Sequence, residues 1–224
     1  MITKTDKKDL TEPDKVQQIL LVIRTFVETQ RTRIFLGTGL FFLIILFAGG
    51  IYLYHLNNEA SAGRIYDRVF ESAAQAGPSG DAIAIKGYKD LIAQYPGSQA
   101  AVTAYYRLGN LYFNRREYDA AIEAYEEFLK KVSPQSDLVS LAYSGLGACQ
   151  EGKKDFRKAL ESYEKALTTN AVVSFEGLNF CNIARVHEAM NNGPKAVEFY
   201  QKALGKTTDP LITLYLKRKI AILG

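Results

Sequence analysis

The apolar positions of the chain follow two patterns. From Ile34 to Asn58 no charged side chain interrupts a run of mostly apolar residues. Before this run and after it, apolar residues recur every three or four positions, which is the spacing of one face of an amphipathic helix. The pattern predicts an all-α chain with one very apolar helix near its N-terminus.

The uncharged run is long enough to cross a lipid bilayer. A helix from Ile34 to Tyr54 would span roughly 31 Å, about the thickness of the hydrocarbon core. Tyr52 and Tyr54 lie at one end and Arg31 and Arg33 at the other, where interfacial side chains are favoured. We therefore expect a single transmembrane helix at 34–56.

A cleaved signal peptide and a buried core helix are the competing interpretations. A signal peptide would have a shorter charged region and a shorter apolar run, and the small residues of Leu46–Gly50 are followed at once by more apolar residues. A core helix of this length normally carries polar residues on one face, whereas this run has only Thr38 and several glycines. The composition favours an uncleaved membrane anchor.

Positive charge near the run predicts its orientation. Lys15, Arg24, Arg31 and Arg33 precede it closely, whereas Asn57 and the next few residues after it carry no basic side chain. This bias places residues 1–33 in the cytoplasm as a short arm and residues 57–224 outside it.

The cytoplasmic arm contains an apolar helix face of its own. Its residues are Val16, Ile19, Leu20, Ile23, Phe26 and Val27. Such a face suits an amphipathic helix lying on the inner membrane surface, and equally a short helix packed on a partner protein.

After the anchor the sequence repeats itself. Residues 105–129, 143–167 and 180–204 align at spacings of 38 and 37 residues. Gly109, Gly147 and Ala184 share one position, and the aromatic residues Tyr125, Tyr163 and Tyr200 share another. A small residue on the first helix of each pair lets the second helix approach closely, and the aromatic ring fills the space toward the next pair. Because one pair cannot bury its apolar face alone, neighbouring pairs must stack.

This pattern resembles the tetratricopeptide repeat family, which implies an α-solenoid of three to four helix pairs. We predict repeats at about 102–135, 140–173 and 177–208, preceded by a degenerate repeat at about 59–97. The final segment, 209–224, begins with Asp-Pro and is predicted to be a capping helix.

The layout of arm, span and repeats is similar to that of the ancillary SecYEG translocon subunit family. This resemblance implies a single-pass protein of the bacterial inner membrane with a periplasmic repeat domain. It further implies contact with the protein-export channel and with periplasmic chaperones or exported proteins.

Composition and motifs argue against several other functions. From Asn57 onward 21 basic side chains face 19 acidic ones, which is no footprint for nucleic acid. The only histidines are His55 and His187, and no zinc motif, nucleophile elbow, phosphate loop or dinucleotide fingerprint is present. We therefore expect no cofactor, no metal and no catalytic activity. Cys149 and Cys181 are expected to be two ordinary thiols rather than a disulfide, since they are offset along neighbouring helices.

The first helices of stacked pairs line a concave groove, which is where such proteins bind peptides. By repeat position, the predicted groove residues are Tyr106, Asn110, Phe113, Asn114, Ser144, Ala148, Asn182 and Arg185. Because only Asn110 fits a clamp of Lys, Asn and Arg residues for a terminal carboxylate, no such clamp is predicted.

The sequence therefore predicts a membrane-anchored adaptor for protein–protein interaction at the export channel. Three other functions remain open: a scaffold for cell-envelope assembly, a receptor with cytosolic repeats, and a structural protein that self-associates. The apolar C-terminal helix could serve as a cap or as a homodimer surface.

Overall fold

The computed structural model describes residues 15–169 and 175–224. In these residues all regular structure is helical. The helices are α1 (Lys15–Gln75), a short 3₁₀ turn (Gly77–Ser79), α2 (Gly80–Gln94), α3 (Gln99–Asn114), α4 (Tyr118–Lys131), α5 (Leu138–Gly152), α6 (Phe156–Thr168), α7 (Glu176–Ala189), α8 (Gly193–Leu204) and α9 (Pro210–Leu223). The expected all-α architecture is confirmed.

The chain divides after Asn57 into two compact units. In the first unit, α1 carries the apolar run, and no proline interrupts the sequence between Pro13 and Pro78. Among the described residues, only α1 contains a segment, within Phe35–Gln75, that is long and apolar enough to cross a membrane. That segment is not buried in the protein.

The predicted arm is only partly described, since residues 1–14 lie outside the described residues. In its described part, the apolar face that includes Ile19, Ile23 and Phe26 is exposed. Both interpretations of this face, a membrane surface and a partner protein, need a cover from outside the chain.

The second unit consists of antiparallel helix pairs that pack on one another in chain order. The pairs are α3–α4, α5–α6 and α7–α8, each next to the following one, with α9 packed on α8. The last part of α1, from Asn58, packs with α2 as an additional, shorter pair through the rings of Tyr66 and Tyr88, 5.3 Å apart. This is the predicted solenoid with its capping helix. The end of the predicted repeat 140–173, residues 170–173, lies outside the described residues.

The turns inside the three full pairs have the same geometry. Arg116, Lys154 and Asn191 occupy matching positions and all have positive φ angles, of 60°, 62° and 57°. In each turn the next residue donates its backbone N–H to a carbonyl five positions earlier, for example Glu117 to Tyr112. This is a helix C-cap with one residue in the left-handed conformation, which glycine adopts most easily. The backbone of these three non-glycine residues is therefore strained.

Helix α9 begins at a complete cap. The Asp209 carboxylate accepts hydrogen bonds from the backbone N–H groups of Leu211 and Ile212, and Pro210 occupies the first turn. Of the apolar side chains of α9, Leu216 is fully buried, whereas Leu211, Leu214 and Ile222 are about two-thirds exposed or more. The capping helix therefore covers the last pair and presents a second apolar face to solvent.

Candidate functional site: the first-helix layer

The first helix of each pair contributes to one continuous layer in the second unit. We call this surface the first-helix layer, and it comprises residues 58–75 of α1 together with α3, α5, α7 and α9. Its members contact one another through polar side chains. The contacts are Arg107 to Tyr66, Ser144 to Asn179, Arg185 to Glu151 and Lys219 to Glu188. In stacked helix pairs this layer lines the concave side.

The helices of each pair approach closely because glycine lies where they cross. A Cβ atom built on Gly109 would lie 2.6 Å from the ring of Tyr125, and one on Gly147 would lie 2.8 Å from the ring of Tyr163. Tyr125 also fills the space beside Gly145 of the next pair, 2.5 Å from a Cβ built there. The two rings are fully buried, so the predicted packing role of the glycine and tyrosine positions is confirmed.

Each buried tyrosine presents its hydroxyl to the first-helix layer. Tyr163 donates to the Glu151 carboxylate at 3.0 Å, and Tyr200 donates to the Glu188 carboxylate at 2.9 Å. In the first full pair Phe113 occupies the matching glutamate position, and Tyr125 donates instead to Asn110 Oδ1 at 2.6 Å. Burial raises the pKa of each of these phenols, so they remain neutral donors.

Both glutamates also hold a basic side chain from the next helix of the layer. Arg185 makes a two-bond contact with Glu151, with both N···O distances 2.7 Å. Lys219 reaches both Glu188 oxygens at 2.7 and 2.9 Å, and this ammonium group lowers the Glu188 pKa. Tyrosine, glutamate and cation thus form a chain that links one helix pair to the next.

The eight predicted groove residues occupy different environments. Tyr106, Phe113 and Ala148 are half-buried, and the Tyr106 ring packs 5.5 Å from that of Phe128. Asn110 and Asn114 line a cavity of about 320 Å³ with residues of α1 and α2. The Ser144 hydroxyl donates a hydrogen bond to Asn179 Oδ1, at 2.6 Å.

The remaining two predicted groove residues lie side by side. Arg185 donates to Asn182 Oδ1 at 3.0 Å, but Asn182 is only 8% exposed. The repeat spacing of 38 and 37 residues places Cys181, not Asn182, at the position of Tyr106 and Ser144. Because one residue rotates a helix position by about 100°, Asn182 lies beneath the surface that Cys181 reaches. Its side-chain oxygen accepts a hydrogen bond from Arg185.

Four residues of these contacts were not among the predicted site residues: Glu151, Glu188, Lys219 and Arg107. The two glutamates could have been found from the sequence, because one stands twelve residues before the buried tyrosine in both the second and the third repeat. No sequence pattern marks the three cations, because their partners lie 31 to 41 residues away in the sequence.

The cysteines and histidine of the second unit belong to its packing. Cys149 is buried and Cys181 half-buried, both as free thiols, and burial raises the pKa of Cys149 to about 12. His187 stacks on Phe199, with ring centroids 5.6 Å apart. Among the described residues no cluster of three His, Cys, Asp or Glu side chains could hold a metal ion.

Comparisons with known proteins agree with this geometry. Residues 92–170 match the family model described as tetratricopeptide repeat. The crystal structure of MamA protein superposes with a TM-score of 0.56 at 19% identity, covering 72% of this chain and 81% of that one. MamA 41-end from Desulfovibrio magneticus RS-1 gives 0.54 at 18% identity, covering 65% of this chain and 75% of that one. No curated protein sequence matches the chain.

At these identities the structural likeness is one of fold. The family match covers the first two full pairs. The third pair repeats the turn geometry of both and the tyrosine–glutamate contact of the second. Residues 92–170 thus match the tetratricopeptide repeat family, and the second unit as a whole folds as a solenoid of that type.

Proposed function

We propose that the chain is a membrane-anchored adaptor whose first-helix layer binds segments of partner proteins. The observation that carries the proposal is the combination of an exposed apolar helix in one unit with a tetratricopeptide-type solenoid in the other. Solenoids of this type act in protein–protein interaction, and the layer offers half-buried aromatic rings beside polar side chains, a surface suited to peptides.

Anchoring would strengthen weak binding. A domain held at a membrane meets membrane-bound partners at a high effective concentration, so modest contacts along the layer suffice. The half-buried Tyr106 and Phe113 are the side chains that gain most from being covered by a peptide.

The bacterial protein-export channel is the membrane complex that we propose as the partner. The order of arm, span and repeats supports this proposal. The excess of basic residues before the span also supports it, because it favours a periplasmic location of the repeats. Exported proteins or periplasmic chaperones would then be the ligands of the first-helix layer.

Two measurements test this proposal. A reporter that is active only outside the cytoplasm, fused after Gly224 in a bacterial host, should be active on a chain of uncut size. Purification in gentle detergent should recover export-channel subunits. An inactive reporter would place the repeats in the cytoplasm, and repeated failure to recover channel subunits would exclude the export channel while leaving the adaptor function open.

Self-association is a second candidate function, favoured by the exposed apolar side chains of α9. Leu214 is 67% exposed and Leu211 78%. Sedimentation of the full chain in detergent tests this candidate. A self-associating protein forms dimers that Leu214→Lys dissociates, whereas a monomeric chain would exclude it.

A further inference from the structure

Three cations of the first-helix layer contact a neighbouring helix of that layer, and one of the three differs from the other two. Arg185 and Lys219 are neutralised by Glu151 and Glu188. Arg107 forms no ion pair with any carboxylate of the described part of the chain. Its Nε donates to the Tyr66 hydroxyl at 2.9 Å, and its guanidinium lies 5.5 Å from the centre of the Phe70 ring. The aromatic side chains hold the guanidinium in place and leave its outer N–H groups free to donate.

Arg107 lines the cavity of about 320 Å³ between the end of α1, the start of α2 and α3. Asn110 and Asn114 lie one and two turns further along the same face of α3 and line the same cavity. Because Asn110 Oδ1 accepts the hydroxyl of Tyr125, its amide N–H₂ is directed away from that contact as a donor. The α3 side of the cavity therefore presents a guanidinium and two amides.

The opposite walls supply apolar surface and one acceptor. Phe70, Ala73, Ala84 and Leu111 line the cavity, and Phe70 is 51% exposed. Asp81, in the first turn of α2, is the acidic member of the lining and forms no ion pair in the described part of the chain. A peptide backbone N–H matches Asp81, a carboxylate matches Arg107, and an apolar side chain matches Phe70.

We infer that this cavity binds the side-chain carboxylate of an acidic residue in a partner peptide, with a neighbouring apolar residue against Phe70 and Leu111. The inference rests on the proposed peptide-binding function and names the chemistry of its ligand. Charge complementarity makes the assignment, since Arg107 is the cation that lines this cavity and it forms no ion pair in the described part of the chain. A guanidinium hydrogen-bonded to a carboxylate is also among the stronger polar contacts available to a protein.

The test uses the full chain in lipid nanodiscs. A display library of short random peptides, flanked on both sides so that no terminal carboxylate is free, is selected on it. We expect the binding peptides to carry Asp or Glu beside Leu, Ile or Phe. For the best peptide, synthesised with blocked ends, Arg107→Gln should weaken binding by about tenfold.

The control is Arg115→Gln, which removes the same charge just after α3, at an arginine already paired with Glu117 and outside the cavity. It should leave affinity unchanged. Replacing the peptide's acidic residue by its amide should cost as much as Arg107→Gln on the wild-type chain and nothing further on the variant. This cycle separates a lost contact from a misfolded variant, since the amide peptide then binds both chains equally.

Selected peptides without acidic residues, or an Arg107→Gln variant of unchanged affinity, would overturn the inference. If such peptides still lose binding on Tyr106→Ala, the peptide-binding function stands and only the ligand chemistry falls. A second library with free C-termini distinguishes the source of the carboxylate: selection confined to that library would overturn the side-chain assignment. If no library yields a binding peptide, the inference and the peptide-binding function both fall.

Discussion

The basic side chains at the C-terminal and N-terminal ends of the first-helix layer have different partners. At the C-terminal end, a glutamate joins each buried tyrosine to a cation of the next helix, as in Tyr163, Glu151 and Arg185. At the N-terminal end, Tyr125 is held by the neutral Asn110. Arg107 there lies among aromatic rings and forms no ion pair with a carboxylate of the described residues. One end uses its charges to join repeats, whereas the other leaves a charge available to a ligand.

The difference between the tyrosine contacts follows from one substitution in the repeat pattern. Phe113 stands at the position of Glu151 and Glu188, so the first full pair lacks the carboxylate that would hold its tyrosine. The packing beneath is the same at both ends, because Tyr125 and Tyr163 fill equivalent spaces over Gly109 and Gly147. Stability and ligand chemistry are therefore encoded at separate positions of the repeat.

Truncating the buried tyrosines should cause the largest loss of stability and tests whether both ends are packed alike. Tyr125→Ala and Tyr163→Ala should each lower the free energy of unfolding by about 3–5 kcal/mol, because both rings are fully buried. Urea unfolding of the full chain in detergent, followed by circular dichroism, measures the loss. A loss at one end far below that at the other would show that the two pairs are not packed alike.

The next effect separates the two kinds of tyrosine contact. Asn110→Ala leaves the buried Tyr125 hydroxyl without a partner and should cost about 1–3 kcal/mol of unfolding free energy. Adding Tyr125→Phe should restore part of it, since the orphaned hydroxyl is then absent. Tyr163→Phe alone should cost about 1 kcal/mol or less, because Glu151 keeps Arg185. Equal costs for Asn110→Ala with and without Tyr125→Phe would contradict this account.

Salt should distinguish the two arginines. Arg185→Gln removes a partly exposed ion pair and should cost about 1 kcal/mol at low ionic strength and less at high ionic strength. The stability cost of Arg107→Gln should not depend on salt, because Arg107 has no carboxylate partner in the described part of the chain. The measurement is urea unfolding of both variants at two salt concentrations, and a salt-dependent cost for Arg107→Gln would refute the contrast.

The turns inside the pairs offer a stabilising change at either end. Arg116→Gly and Lys154→Gly should each raise the free energy of unfolding by about 0.5–1 kcal/mol, since glycine adopts their positive φ angles without strain. The neighbouring Arg115→Gly is the matched control, because Arg115 has a φ angle of −82° and should gain nothing. Stabilisation by the control as large as that of Arg116→Gly would rule out backbone strain as the cause.

The smallest effect is a pH dependence at the C-terminal end. Burial lowers the pKa of His187, and nearby Lys195 lowers it further, whereas Glu164 and Glu198 raise it. The unfolded chain therefore takes up this proton at higher pH than the folded chain. Stability should be constant above about pH 6.5 and fall as the pH drops below it. His187→Gln should abolish this part of the slope in urea unfolding between neutral and mildly acidic pH, and an unchanged slope would assign it to other groups.

The sequence predicted the features that recur at fixed spacing. The positions of Gly109, Tyr125 and their counterparts are repeated, and a small residue facing an aromatic ring has one good packing solution. The capping helix that begins after Asp209 was also predicted from the sequence, because its Asp-Pro start is a local signal.

The features that depend on neighbouring helices were less predictable. Arg107 reaches Tyr66, and Arg185 reaches Glu151, only because the pairs stack at a particular height. Asn182 lies one position after Cys181, the residue that matches Tyr106 and Ser144 at the observed spacing, and it is only 8% exposed. A shift of one residue along a helix is enough to move a side chain from the surface toward the interior. Lateral contacts and exact register are therefore where structure adds to sequence.

If the chain is a membrane-anchored adaptor, its first-helix layer is the surface that contacts partner proteins. The most direct test of this claim places a photo-crosslinking residue at Ala148, in the middle of the layer, in the full chain within its native membrane. The matched position is the exposed Gln135, in the loop between α4 and α5. We predict discrete crosslinks to partner proteins from position 148 and none from position 135. Equal crosslinking from both positions, or none from position 148, would contradict the account.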